Sequence, residues 1–220
     1  MPHLRRHYEA ARAGNGEHPL DLGLERIVFL SDGLFAIAMT VLVIDLRVPD
    51  LPIGATSDQI AASLGQLLPR LFAYALSFAI ISFYWLAHWR RFKLIERADE
   101  RLAYLNLLLL GFIALIPFPT ALIGEHGDTP IAVGVYVATL SAAGIAGFLS
   151  WVYAMRAGLL KPDAPQDLVH SGALRGLAVP LVMLGSLLLL LLPSASTYLV
   201  EASWLLIFPV QLLIMRLASR

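Results

Sequence analysis

Residues 26–46 read RIVFLSDGLFAIAMTVLVIDL. As a helix the stretch is long enough to cross a bilayer core of ~30 Å, yet Ser31 and Asp32 sit inside it. A carboxylate at that depth is expensive unless it is paired, hydrogen-bonded or facing water. A segment that keeps one does more than anchor. Around it, the 220-residue chain is 58% hydrophobic and 15% charged, with a mean hydropathy of +0.73. Soluble domains carry about a quarter charged residues, so the fold class expected is an all-α integral membrane protein. With no cysteine, disulfides, thiolate metal sites and cysteine nucleophiles are excluded. The first twenty residues are polar and do not read as a cleavable signal peptide.

Working outward, six segments are apolar enough for transmembrane helices: near 24–46, 67–88, 103–123, 131–154, 172–192 and 197–217. Residues 1–23 form an N-terminal segment, and 24–220 form the membrane domain. Between the first two spans, Ser57-Asp58 is placed to cap a short helix with Ile60, Leu64, Leu67 and Leu68 on one face. Basic residues set the orientation. Arg5, Arg6, Arg12 and Arg26 precede or open the first span, Arg90, Arg91, Lys93, Arg97 and Arg101 fill the second-to-third loop, and Arg156, Lys161 and Arg175 flank the fourth-to-fifth. Arg216 and Arg220 close the chain, whereas GEHGDT and PSAST hold no basic residue. Both termini are expected on the cytoplasmic side of a cell (inner) membrane.

On a helical wheel, Gly33, Ile37, Thr40, Val41 and Ile44 fall within roughly 40–60° of one line, with Asp32 on the far side. From periodicity alone the stripe suits a lipid-facing or packed apolar surface. Asp32 suits a helix-start cap or a buried network. Tyr84, Trp85, Trp89 and Tyr104 suit an aromatic interface belt. Pro180 and Pro209 are expected to kink the last two spans. Small residues at Gly134, Ala138, Ala142 and Ala146 suggest one close-packing face. Glu125 and His126 are expected to be solvated.

The run Arg26-Ile27-Val28-Phe29-Leu30-Ser31-Asp32 resembles the R-x-x-x-F-S-D signature of the transmembrane protein 175 family, the lysosomal potassium channel and its bacterial relatives, with Leu30 where phenylalanine is usual. Further matches are Tyr84-Trp85-Leu86-Ala87-His88-Trp89-Arg90-Arg91-Phe92, Leu105-Asn106-Leu107-Leu108 and Ile116-Pro117-Phe118-Pro119-Thr120. In bacterial relatives a second histidine commonly stands at the position of Trp89. The motif matches cover roughly the first 125 residues.

The resemblance implies six-span subunits assembled as a homotetramer, with the first helix of each lining a central pore. It implies a potassium-permeable cation channel without the T-V-G-Y-G filter, a motif this sequence lacks. Constriction and selectivity would fall to Ile37, Thr40 and Ile44, with Gly33 and Val41 also lining the pore and Asp45 at its mouth. Arg26, Ser31, Asp32, His88 and Asn106 would form a cytoplasmic-side network holding the pore helix to the second and third spans. The partners implied are a second copy of the chain, membrane lipid, potassium and other monovalent cations.

The competing reading is a proton- or cation-coupled secondary transporter using Asp32. Transporters of that kind often carry internal repeats, and nothing in residues 131–220 echoes Ser31-Asp32. An enzyme is not expected, because Asp32, His88 and Asn106 lack a nucleophile. The six histidines show no metal-ligand spacing, so no metal or cofactor is expected. The basic run from Arg90 to Arg101 reads as positive-inside charge and not as a nucleic-acid surface.

Overall fold

The computed structural model describes residues 21–47, 50–191 and 197–217, and all regular structure among them is helical. Helix α1 spans Asp21–Val41 and tightens into a 3₁₀ turn over Leu42–Asp45. Then follow α2 (Ser57–Gln66), α3 (Leu68–Phe92), α4 (Glu100–Leu115), α5 (Pro117–His126), α6 (Pro130–Arg156) and α7 (Gln166–Ser186). After α7 come a 3₁₀ stretch over Leu187–Leu191, α8 (Thr197–Ser203), a further 3₁₀ turn and α9 (Ile207–Leu217). Arg5, Arg6, Arg12, residues 193–196 and Arg220 lie outside the described residues.

Among the described residues, four stretches are long and apolar enough to cross a membrane: Gly23–Asp45, Leu68–Phe92, Glu100–His126 and Pro130–Arg156. The chain is a multi-pass membrane protein. The fifth and sixth expected spans fall on shorter apolar helices, Gly176–Leu189 and Thr197–Leu213. The third is continuous in course but broken between α4 and α5. Pro117 has no N–H to give the preceding turn, so it opens a new helix. Pro130 opens α6 in the same way. Pro209 lies in the first turn of α9, after the 3₁₀ turn Trp204–Leu206, so the irregularity comes before it.

Helix α2 is capped one residue earlier than expected. Thr56 accepts from the Gln59 N–H, and the Gln59 side chain accepts from the Thr56 N–H. This reciprocal box satisfies two otherwise orphaned donors. Ile60, Leu64 and Leu68 remain exposed.

The core sits where α6 meets α4 and α7, with α3 alongside. Tyr136, Leu140, Ala143 and Ala146 on α6 are buried against Ile80, Ile113 and Val179. The close-packing face of α6 is not the expected one. Ala138 is exposed, and the tight approach is made by Gly144, where an added Cβ would stand 2.7 Å from Pro180 Cδ. Pro180 therefore sits inside α7 against a glycine of its neighbour. A second apolar cluster closes the basic end, where Trp151 donates to the Val169 carbonyl at 3.2 Å. There the two connecting loops pair through Ile95 and Leu160, and Asp99 caps α4 by accepting the Leu102 N–H at 2.8 Å. Partial burial opposes ionisation of Asp99, but hydrogen bonds from Tyr153 and Leu102 and the nearby Arg101 charge hold its carboxyl below the usual range.

Candidate functional site

Helix α1 lies at the edge of the bundle among the described residues, and its main partners among the long helices are α3 and α4. Phe35, Ala38 and Leu42 recur at helical spacing and are buried in that contact. The opposite face is open: Gly33, Ile37, Thr40, Val41 and Ile44 are all exposed, Ile37 at 63% and Ile44 at 62%. The five residues of the expected stripe thus share one outward face. Its lower part continues into a shallow groove of about 970 Å³ shared with α4, walled by Phe29, Leu30, Gly33 and Ile37 on one side and Ala103 and Leu107 on the other.

Thr40 donates its hydroxyl to the Ile37 carbonyl at 2.9 Å. The helix thereby uses up the proton, and the oxygen lone pairs remain available on the exposed face. Asp45 is half-buried in the 3₁₀ turn that ends the helix.

On the inward side, polar ties fix the rotation of α1. Ser31 is fully buried and donates to the Ile27 carbonyl at 2.7 Å. Asn106 of α4, 1% exposed, donates its amide to Ser31 Oγ at 3.0 Å. Its Oδ1 faces His88 Nε2 of α3 at 2.9 Å. With the amide nitrogen turned to Ser31, the carbonyl accepts, so Nε2 of His88 carries the proton. The His88 ring stacks on Phe92 with centroids 4.1 Å apart and lies 5.7 Å from Phe35. Three helices are thus tied through one asparagine.

Two expected members stand outside this triad. Asp32 turns to α3 and accepts from Trp85 Nε1 at 2.8 Å, not from His88 or Asn106. Being next to Ser31, it points about 100° further round the helix, which carries it past the asparagine to the indole. Arg26 is exposed and makes no side-chain hydrogen bond among the described residues. Trp85 is the residue that sequence reasoning missed. Taken as part of an interface belt, it instead supplies the N–H that satisfies the intramembrane carboxylate. Its signal was its spacing, three residues before His88 on one helix face. Tyr84 also leaves the belt: it is buried and donates to the Leu140 carbonyl at 2.6 Å. At the other end, Glu125 and His126 are exposed, in line with the expected solvation, and Glu125 also pairs with Arg70 at 3.0 Å. No group of three or more metal-ligating side chains occurs among the described residues.

An all-helical bundle whose first described helix, the least buried of the four long apolar stretches, is tied in by buried hydrogen bonds defines a multi-pass membrane protein. A family model described as "Endosomal/lysosomal potassium channel TMEM175" matches residues 26–117. A potassium channel of Chamaesiphon minutus is 39% identical over 138 residues, covering 61% of this chain and 68% of that protein. A potassium channel of Streptomyces collinus is 36% identical, covering 64% of this chain and 70% of that protein. The human endosomal/lysosomal proton channel TMEM175 is 27% identical, over 86% of this chain but only 37% of its own length. The crystal structure of a lysosomal potassium-selective channel TMEM175 homolog from Chamaesiphon minutus superposes with a TM-score of 0.71 at 30% identity, covering 87% of this chain and 98% of that one. The chain belongs to the TMEM175 family of ion channels and has its fold.

Proposed function

We propose that the chain is a potassium-permeable cation channel: a homotetramer of six-span subunits around a pore lined by α1, with both termini cytoplasmic in a cell (inner) membrane. The observation that carries this reading is the two-sidedness of α1. One face is locked to α3 and α4 by buried side chains, while Gly33, Ile37, Thr40, Val41 and Ile44 are left outside the subunit. Two relatives named potassium channels support the permeant ion.

In this reading Ile37 and Ile44 form rings of aliphatic side chains that exclude water when closed and must widen to hydrate on opening. Between them four Thr40 oxygens, their protons engaged by Ile37 carbonyls, offer lone pairs to a partly dehydrated cation. Potassium sheds water at lower cost than sodium, so the narrow neck favours it. Gly33 and Val41 line the rest of the path, and Asp45 concentrates cations at the mouth. The Ser31–Asn106–His88 and Asp32–Trp85 ties set the rotation of α1 and hence which side chains meet the axis. Arg26 lies on the cytoplasmic side without joining them.

Purified protein in liposomes should carry potassium flux that rises without saturation, and Ile37→Asn should raise leak several-fold. Thr40→Val should lower the discrimination of potassium over sodium. Because mammalian relatives are named proton channels, a proton gradient without potassium serves as the second arm. Absence of flux under every gradient and voltage would contradict the reading, and saturating, proton-coupled flux would favour a transporter using Asp32.

A further inference from the structure

At the basic end, a cavity of about 340 Å³ lies between the last turn of α3 and the first turns of α7. Three cations line it: Arg90, Arg91 and Lys93. Arg91 is the unusual one. It is only 7% exposed, and its guanidinium carries five N–H donors. One of them, on Nη1, donates to the Gly147 carbonyl at 2.7 Å, while Nε is buried without a partner. Among the described residues the ion pair found is Arg70 with Glu125, so no carboxylate answers Arg91. A buried charge left without a counter-charge is costly.

The backbone is shaped to accept this cost. A Cβ at Gly147 would stand 3.2 Å from Nη1, and one at Gly176 would overlap Nη2. Two glycines on α6 and α7 therefore seat a cation that no acid among the described residues pairs with.

We propose that this pocket is a phosphate site that takes the headgroup of an anionic membrane lipid. The Arg91 donors that Gly147 does not take suit phosphate oxygens, and Arg90 and Lys93, whose ammonium lies over the Trp89 ring, add charge nearby. The rest of the wall, including Leu94, Leu168 and Gly172, is apolar and suits the glycerol and the start of the acyl chains. Arg90 and Arg91 end a membrane span, which places the site at headgroup depth. Free phosphate would leave the apolar wall unused. The site is separate from the exposed face of α1, and binding is read without ion flux.

The test uses the full chain in mixed micelles. Native mass spectrometry and thermal unfolding are followed with phosphatidylglycerol, phosphatidylcholine or soluble glycerol phosphate. Phosphatidylglycerol should stay bound and raise Tm where phosphatidylcholine does not. Retention should fall about tenfold in Arg91→Gln, the loss expected for a charge-assisted contact, and less in Arg90→Gln/Lys93→Gln. Should Arg91→Gln fail to fold, the rim double variant decides. Glycerol phosphate giving the full shift would assign the phosphate site to a soluble ligand and overturn the lipid assignment. Equal retention of both lipids, or retention unchanged in the foldable variants, would overturn the site altogether.

Discussion

Helices α1 and α6 are both apolar enough to span a bilayer, and they are held in opposite ways. Of the apolar window in Pro130–Arg156, 61% is buried within the subunit, against 22% for Gly23–Asp45. Helix α6 is fixed by shape: Tyr136, Leu140 and Ala143 fill the core, and Gly144 admits Pro180. Helix α1 is fixed by direction, through the hydrogen bonds of Ser31 and Asp32 to Asn106 and Trp85. Apolar packing holds a helix in place, whereas a few directional bonds also fix its rotation. A helix that must present one chosen face while burying little area needs the second kind of restraint.

The contrast can be broken at its strongest point first. Gly144→Leu should cost about 3 kcal/mol or more, because a well-packed core has no room for the added atoms. Loss of the monodisperse peak in size-exclusion chromatography would report it, and a normal profile would show that the α6–α7 contact yields. Asn106→Ala should cost about 2 kcal/mol by leaving Ser31 and His88 with unmet buried groups, seen as a lowered Tm. If α1 is oriented by these ties, flux in that variant should change more than in a core variant of equal Tm. Trp85→Phe keeps most of the ring but removes the donor to Asp32. It should cost about 1 kcal/mol, with the stability change readable by denaturant titration and the bilayer-facing surface unaltered.

Much of this division was legible in the sequence, and for a physical reason. The stripe Gly33, Ile37, Thr40, Val41 and Ile44 follows from helical geometry once the segment is known to be helical, and an intramembrane Asp32 demands a partner. Which partner was not legible. Asp32 and Ser31 are adjacent in sequence but about 100° apart around the helix, so one reaches α3 and the other α4, and only the packing of three helices decides between Trp85, His88 and Asn106. The small residues of α6 mislead for a similar reason. Gly134, Ala138, Ala142 and Ala146 share a spacing, yet the neighbour's bulk fell on Gly144, whose partner Pro180 lies 36 positions along the chain. The Arg91 pocket was invisible because Arg91 stands inside a basic run that reads as ordinary surface charge. The fifth and sixth spans were legible as apolar composition, but the 3₁₀ stretch Leu187–Leu191 and the 3₁₀ turn Trp204–Leu206 shorten their regular helices.

On the proposed function, the open face of α1 looks onto an ion path and not onto lipid. The chain holds no cysteine, so Ile37→Cys introduces a single reactive thiol with no background. A water-soluble, positively charged thiol reagent should modify this position and block cation flux in liposomes. Mild oxidation should link neighbouring subunits through it. A thiol that reacts only with lipid-soluble reagents, forms no inter-subunit link and leaves flux unchanged would contradict it.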